Sequence, residues 1–183
     1  MAYDSGPVLP VNHSVNEGIS RELSSISYAS VDDAVEQILQ LGRGTQLVKL
    51  DLEKAYCNIP VHPQDHHLLA ISWEGSTYVD RALPFGLRSA PKIFSAVADM
   101  IAWALHCAGI QHQIHYLDDF LFLGAPGTGE AAGALAIALR VLDQMGFPAA
   151  MHKTEGPTCC ITFLWILIDT ASFELCLPVG KIQ

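Results

Sequence analysis

Two adjacent aspartates, Asp118 and Asp119, interrupt an apolar run that extends from Ile114 to Leu123. Burying two carboxylates in a strand is costly unless a metal ion, or a turn that lifts the pair into a cleft, compensates their charge. A third carboxylate, Asp51, interrupts another apolar and β-rich run at residues 46–52. Two hydrophobic strands that both carry acids are typical of a site that holds two metal ions about 3.5–4 Å apart. The pattern therefore predicts a metal-dependent phosphoryl-transfer site.

The composition indicates a folded chain that is long enough for one sizeable core. Of its 183 residues, 50% are apolar and 16% are charged. The net charge of −9, with only ten basic residues, is unfavourable for binding nucleic acid. Either nucleic acid is not the partner, or the basic parts of a larger machine are missing from this sequence.

The cysteine pattern bears on location. Five cysteines without a CxxC pair argue against a disulfide framework or a zinc site. They favour a reducing compartment, so we expect an intracellular location, either cytoplasmic or nuclear. No signal peptide is recognisable, and polar residues interrupt the most apolar windows, so we expect no membrane span.

Hydrophobic periodicity and turn residues predict a mixed architecture. Residues 1–29 are rich in Gly, Pro, Ser and Asn, and we interpret them as an extended leader. Helices are predicted from Ser30, as N-cap, to Gly42, from about Pro91 to His106, and from Glu130 to Met145. Strands are predicted at 46–52, 67–73, 77–83, 112–116, 120–123, 161–168 and 173–177. This order predicts an α+β fold, with an antiparallel sheet and helices packed on one face.

Three segments of the chain resemble motifs A, B and C of reverse transcriptases, in the same order and at similar spacing. They are Leu50–Tyr56 (LDLEKAY), Leu83–Pro91 (LPFGLRSAP) and Tyr116–Asp119 (YLDD). A fourth segment, Gly146–Lys153, resembles motif D. Together with Ile-Pro-Val-His-Pro at residues 59–63, the second segment is most similar to LTR-type and DIRS-like retrotransposons. The resemblance runs from about residue 12 to residue 178.

The resemblance implies a polymerase palm, which is a ferredoxin-like antiparallel sheet with helices packed on one face, plus partial fingers. Residues 1–29 would form the leader and part of the fingers, and residues 30–183 the palm with partial fingers, ending before the thumb. The implied activity is RNA-directed DNA synthesis on an RNA or DNA template with a primer. Deoxynucleoside triphosphates would be the substrates.

The resemblance also assigns roles to the acids. Asp51, Asp118 and Asp119, with the backbone carbonyl of Leu52, would hold two Mg²⁺ (or Mn²⁺) ions, which prefer oxygen ligands. A plainer interpretation of the two adjacent acids is a solvated turn.

The remaining implied site residues would contact nucleotide, template or primer. Tyr56 would exclude the 2′-hydroxyl of a ribonucleotide, and Phe85 and Gly86 would line the nucleotide pocket. Arg88 would contact template or nucleotide, and Lys153 would protonate the leaving pyrophosphate. Phe163, Leu164 and Trp165 would form the primer grip. The plainer interpretations are a core aromatic for Tyr56, a ring packed beneath a turn for Phe85, and a surface lysine for Lys153.

The sequence also departs from the family pattern. Trp165 stands where the primer grip has glycine, which implies a clash or a changed backbone, and Leu167 replaces the customary acid. The resemblance would place the basic finger strands and the thumb outside this sequence, so we interpret the chain as a truncated or degenerate copy that lacks the rest of a retroelement polyprotein. Alone it would be weak or inactive. Two alternatives remain: an inactive palm that binds nucleic acid or protein, and another two-metal palm enzyme such as a nucleotide cyclase.

Overall fold

The computed structural model describes residues 14–178, except for the side chain of Leu23. The chain forms two compact units. The first unit comprises the chain up to Ile26 together with Lys54–Ala96, and the second comprises Ser27–Glu53 and the chain from Val97 onward. Within the described range, no helix has the length and apolar character needed to cross a membrane.

Three α-helices and nine β-strands form the regular structure of the described residues. The helices are α1 (Val31–Leu41), α2 (Ala90–Cys107) and α3 (Glu130–Met145). The strands are β1 (Gln46–Asp51), β2 (Ala70–Trp73), β3 (Ser76–Val79), β4 (Gln113–Tyr116), β5 (Asp119–Gly124), β6 (Glu155–Thr158), β7 (Cys160–Phe163), β8 (Ile166–Asp169) and β9 (Glu174–Cys176). The α+β class predicted from the sequence is confirmed.

The ends of helix α1 follow directly from local chemistry. The backbone N–H of Ser30 donates to Asp33 Oδ2 at 2.6 Å, which completes the predicted capping interaction. At the other end, Gly42 has φ +97°, a conformation that glycine adopts at little cost. The predicted start and end of this helix are therefore confirmed.

A four-stranded antiparallel sheet in the order β4-β5-β1-β6 is the framework of the second unit. One face carries Leu47 and Leu121, which pack with Ala34 and Ile38 of α1 and with Ile161 of β7. The opposite face carries Phe120 and Phe122, whose side chains are fully buried.

Helices α3 and α2 lie against this second face. A Cβ added to Gly124 would lie 2.4 Å from the backbone N of Ala131 in α3. His115 stacks on Phe120, and its Nε2 lies 3.2 Å from Asp99 Oδ1 of α2. Two helices therefore pack on one face of the sheet, and α1 shares the other face with the β7–β8 hairpin.

Two strand predictions need correction. Residues 161–168 are not one strand, because β7 and β8 pair as a hairpin in which Phe163 lies opposite Ile166. Strand β6 was not predicted, because its sequence Glu-Gly-Pro-Thr has neither apolar alternation nor strong β-formers. It pairs with β1 because Gly156, at φ +99°, lets the backbones approach closely; an added Cβ would lie 2.3 Å from the carbonyl oxygen of Leu47.

The first unit contains the predicted hairpin, although its strands are shorter than expected. Strands β2 and β3 pair with Trp73 opposite Ser76, and Glu74 and Gly75 form a two-residue turn. Residues 63–69 form a 3₁₀ helix that begins at Pro63. Residues 1–13 of the expected leader lie outside the described residues, and 3₁₀ turns at Val15–Gly18 and Glu22–Ser24 replace the extended conformation expected there.

Candidate active site

The pairing of β1 with β5 brings the predicted acids together. Asp51, the last residue of β1, lies opposite Asp119, the first residue of β5. Because directly opposed residues point to the same face of a sheet, both carboxylates lie on one side. Asp118 belongs to the two-residue turn between β4 and β5, where Tyr116 pairs with Asp119. We refer to Asp51, Asp118 and Asp119 as the acid cluster.

Main-chain hydrogen bonds hold this cluster from two sides. On one side, the N–H of Leu52 donates to the carbonyl oxygen of Asp118 at 3.0 Å. On the other side, the N–H of Ala150 donates to the carbonyl oxygen of Asp51 at 2.8 Å, and Glu53 donates to Pro148 at 2.7 Å. The end of β1 is thus fixed between the β4–β5 turn and the segment that follows α3. These bonds depend on the backbone and not on the identity of the acidic side chains.

The β4–β5 turn places Leu117 in an unfavourable backbone conformation. Leu117 has φ +52°, a region in which residues other than glycine are uncommon. Residues held in such conformations cost about 1–3 kcal/mol and are concentrated at functional sites. The strain adds support for a functional role of this turn.

The electrostatics of the cluster show an excess of negative charge. The pKa of Asp119 is raised to about 6, mainly by burial and also by the carboxylates of Asp118 and Asp51, against a lowering effect of Lys49. Burial is also the main cause that raises the pKa of Asp118, and Asp51 adds to it. Crowded carboxylates with raised pKa values are the arrangement that a bound cation stabilises.

One amino group already lies in the cluster. Lys153 Nζ donates to Asp51 Oδ1 at 3.1 Å, and this bond is the main cause that raises the pKa of Lys153. Asp51 is 9% exposed, so the ammonium offsets part of the cost of burying its carboxylate. The predicted motif D lysine therefore lies beside the predicted motif A aspartate.

The donor set fits a hard divalent cation, because carboxylate oxygens are the ligands that Mg²⁺ and Mn²⁺ prefer. The side chains are not preassembled around one point: among residues 14–178, no three His, Cys, Asp or Glu side chains are placed to hold a metal ion together. Lys153 occupies one oxygen of Asp51. Ion binding would therefore require rotation of carboxylates.

The residues predicted to contact nucleotide or template, namely Tyr56, Phe85, Gly86 and Arg88, lie in the first unit. Tyr56 is 7% exposed. Its ring meets the Phe85 ring edge-on with 4.8 Å between centroids, and its centroid lies 5.1 Å from that of Phe94. Phe85 is 79% exposed, and Gly86 has φ +88°. Tyr56 is thus a rigid, mostly buried ring, whereas Phe85 presents a surface that a planar ligand could contact.

Arg88 and the loop around it are bonded to the N-terminal segment. The Nη1 group of Arg88 donates to the carbonyl oxygen of Ile19 at 2.5 Å. Asn16 Nδ2 donates to the carbonyl oxygen of Gly86 at 2.8 Å, and Asn16 Oδ1 accepts from the N–H of Arg88 at 2.6 Å. Asn16 was not predicted as a site residue, since neither its position nor its surroundings in the sequence points to a contact 70 residues away.

Phe163, Leu164 and Trp165 lie at the β7–β8 hairpin in the second unit. Phe163 is buried in the core, and Leu164 and Trp165 form the two-residue turn, which we refer to as the grip turn. Their φ angles are +48° and +67°, the signature of a type I′ hairpin turn. Trp165 is 70% exposed, so the ring projects outward while the backbone keeps a conformation suited to glycine.

Lys49 is a second residue that the sequence did not single out. It lies on the same face of β1 as Asp51, because the two are separated by one residue. Its Nζ contacts Glu155 at 2.8 Å and the carbonyl oxygen of Thr162 at 3.2 Å. The period-two spacing from Asp51 is the signal by which it could have been found.

Comparison with known proteins gives a consistent family. A family model described as reverse transcriptase (RNA-dependent DNA polymerase) matches residues 10–166. The Pro-Pol polyprotein of feline foamy virus is 25% identical over 125 residues, which cover 68% of this chain and 10% of the polyprotein. That of simian foamy virus type 1 is 26% identical over 113 residues, which cover 62% of this chain and 9% of the polyprotein. The chain thus spans about a tenth of the length of these relatives.

Solved structures show the same fold. A foamy viral protease–reverse transcriptase in complex with double-stranded DNA aligns with a TM-score of 0.65 at 20% identity, over 94% of this chain and 26% of that chain. A foamy viral protease–reverse transcriptase in complex with an RNA/DNA hybrid has a TM-score of 0.61 at 22% identity, and the alignment covers 68% of this chain and 16% of that chain. The native prototype foamy virus protease–reverse transcriptase has a TM-score of 0.63 at 23% identity, and the alignment covers 84% of this chain and 19% of that chain. The predicted palm-type α+β fold is confirmed by these neighbours.

Proposed function

This chain belongs to the reverse transcriptase (RNA-dependent DNA polymerase) family, and we propose that its acid cluster extends a primer with deoxynucleotides on an RNA or DNA template. The observation that carries the proposal is the register of β1 and β5, in which Asp51 lies opposite Asp119 and Asp118 occupies the adjoining turn. Foamy viral relatives have been solved with an RNA/DNA hybrid and with double-stranded DNA, which supports a nucleic-acid partner.

The acid cluster and the Leu52 carbonyl would hold two Mg²⁺ or Mn²⁺ ions. When bound, the ions would lower the pKa of the primer 3′-hydroxyl and neutralise charge on the triphosphate and on the leaving pyrophosphate. Lys153 would be released from Asp51, and its ammonium would donate a proton to the pyrophosphate oxygen. The main-chain bonds on both sides of Asp51 keep the ligands in place while the substrate changes.

Tyr56 would select the sugar. Its ring is held by contacts with Phe85 and Phe94, so it cannot swing aside to accommodate an additional hydroxyl. The exposed face of Phe85 would contact the incoming nucleotide, and the turn at Gly86 would let backbone approach it. The remaining N–H groups of Arg88 would contact template or nucleotide.

The first experiment is primer extension on an RNA template with deoxynucleotides and Mg²⁺ or Mn²⁺. Wild-type protein is compared with Asp118→Asn and with Asp143→Asn, an exposed acid-to-amide change on α3 that serves as the matched control. Because the chain alone is expected to be weak, we expect slow extension by the wild type and the control, and none by Asp118→Asn. If the folded wild-type protein binds primer–template without extending it, the polymerase proposal is wrong and a binding module is favoured. Cyclic-nucleotide formation without extension would favour the cyclase alternative.

The role of Tyr56 is tested by sugar selectivity. Tyr56→Ala removes the ring, whereas Tyr56→Phe keeps it and is the matched control. We expect Tyr56→Ala to raise the ratio of ribonucleotide to deoxynucleotide incorporation by roughly tenfold or more, because a lost steric clash exceeds about 1.4 kcal/mol. An unchanged ratio in single-nucleotide incorporation assays would identify Tyr56 as a core aromatic without a selective role.

A further inference from the structure

We propose that Lys49 is a positioning residue that fixes the grip turn beside the acid cluster, so that a primer strand contacting the turn presents its end to Asp51. The proposal rests on the proposed function for its primer, and on the contacts of Lys49 for its geometry. Lys49 connects the two β-sheets of the second unit: β1 belongs to the four-stranded sheet, and β7 belongs to the separate sheet β7-β8-β9.

Polar bonds join the two sheets at both ends of β1. At the beginning of β1, Thr170 Oγ1 donates to the carbonyl oxygen of Thr45 at 2.7 Å, and the N–H of Gly44 donates to the carbonyl oxygen of Thr170 at 2.9 Å. Toward the end that carries Asp51, Lys49 Nζ donates to the carbonyl oxygen of Thr162 at 3.2 Å. The second link is made by a side chain alone.

The two links also give the direction of β7. Thr170 Oγ1 bonds to Cys159, which immediately precedes β7, as well as to Thr45, which immediately precedes β1. The start of β7 therefore lies beside the start of β1, and Thr162 lies beside Lys49. Strands β1 and β7 therefore run in the same direction. The grip turn begins two residues after Thr162, and Asp51 lies two residues after Lys49. Each therefore lies about 6–7 Å further along its strand.

The chemistry of Lys49 suits a fixing role better than a packing role. Its side chain is 18% exposed, and the charge is compensated by Glu155 at 2.8 Å. Burying an ammonium at a strand position costs more than burying an aliphatic side chain, so packing alone would favour valine or leucine. The apolar contacts of Ile161 and Phe163 hold the sheets together without specifying how far one slides along the other. A directional hydrogen bond from Lys49 specifies that position.

Four variants separate positioning from general stability. Lys49→Met keeps most of the apolar stem and loses the donor, and Lys49→Arg keeps charge and donors. Thr170→Val removes the hydroxyl link at the far end, and Glu155→Gln neutralises the ion-pair partner while leaving the Thr162 bond. All four are compared with the wild type after circular dichroism shows a native-like spectrum.

The first measurement is hydrogen exchange of residues 160–169, which requires no activity. We expect Lys49→Met to speed exchange at the grip turn by roughly tenfold, the effect of losing one charge-assisted hydrogen bond. Thr170→Val should speed exchange near Thr170 instead, and Glu155→Gln should stay within about twofold of the wild type at the grip turn. Unchanged exchange in Lys49→Met, or equal loosening of the grip turn by Thr170→Val or Glu155→Gln, overturns the proposal.

The second measurement is the affinity for a fluorescently labelled primer–template, by anisotropy. We expect Lys49→Met to weaken binding by roughly tenfold, Lys49→Arg to recover most of it, and Thr170→Val to bind as the wild type does. Wild-type affinity in Lys49→Met, despite a loosened turn, overturns the role toward the primer. If the wild type neither binds nor extends a primer, the proposed function fails, and hydrogen exchange alone then decides whether Lys49 fixes the turn.

Discussion

Two tight turns in the second unit have the same length and are held in different ways. The β4–β5 turn contains Leu117 at φ +52°, and the grip turn contains Leu164 at φ +48° and Trp165 at φ +67°. In the first turn, the carbonyl oxygen of Asp118 accepts a main-chain hydrogen bond from Leu52. The strand that leads to the grip turn is held by a side chain instead, because the carbonyl oxygen of Thr162 accepts a hydrogen bond from Lys49 Nζ.

The difference teaches which part of the molecule tolerates a change of side chain. Main-chain bonds survive any substitution that keeps the backbone, so the acids of the first turn can be replaced without moving the turn. Substituting these acids is therefore expected to change the chemistry of the site without changing its backbone. A side-chain link is lost with its residue, and we expect the position of the grip turn to be adjustable by single substitutions.

The largest expected effect tests whether the acids near the β4–β5 turn are needed for activity but not for folding. Asp51→Asn and Asp118→Asn should each reduce primer extension by about a thousandfold or more, the scale for losing a residue of a catalytic unit. Each should leave the metal-free fold equally or more stable, because each removes crowded negative charge. Urea unfolding in the presence of a chelator measures the second part, and a large loss of stability would show that the acids are structural.

The second prediction concerns the pH dependence of stability. The pKa of Asp119 is raised to about 6 in the folded protein, so its stabilising contribution is complete at pH values below the unfolded pKa near 4. This contribution is lost as the pH rises through about 6. Without metal, Asp119→Asn should therefore be more stable than the wild type at pH 7.5 by about 1–2 kcal/mol, after allowance for solvent screening of a half-buried group.

The control for this prediction is the same pair of proteins at low pH. Below about pH 3, the stability difference between Asp119→Asn and the wild type should shrink toward zero, because Asp119 is then neutral in both the folded and the unfolded protein. A difference that does not depend on pH would mean that Asp119 titrates in the folded state as it does in the unfolded chain.

The smallest expected effect concerns the grip turn. Trp165→Gly should raise the free energy of unfolding by about 0.5–1 kcal/mol, because glycine adopts φ +67° without the steric cost that tryptophan bears. It should also tighten primer–template binding, since the exposed indole occupies space that glycine leaves open. Trp165→Phe is the matched control, which keeps an aromatic ring at the same backbone angle. Unchanged or weaker binding by Trp165→Gly would remove the interpretation of Trp165 as a lesion.

The sequence predicted most of the helices and the meeting of the acids, for physical reasons that are local. The capping residues Ser30 and Asp33 define the beginning of α1, and the apolar runs that end at Asp51 and begin after Asp119 define the central strands. The two-residue turn at Leu117–Asp118 follows from an acidic pair placed between two apolar strands.

The rest depends on contacts between distant residues, which periodicity does not reveal. Strand β6 owes its place to the close approach of Gly156 to Leu47, more than 100 residues earlier in the chain. The grip turn was missed because its residues are bulky and apolar, whereas a type I′ turn usually takes Asn or Gly. The division of residues 1–29 from residues 30–183, and the roles of the individual site residues, remain predictions.

The antiparallel register of β1 and β5 has a consequence for how this chain can change in length. Side chains alternate between the two faces of a strand, so inserting or deleting one residue within β1 would turn Asp51 away from Asp119 and turn core leucines outward. We expect a point mutation to silence the acid cluster and leave the protein folded. A single-residue insertion or deletion there would remove the cluster and the core at once, so length variation is expected to be confined to the loops.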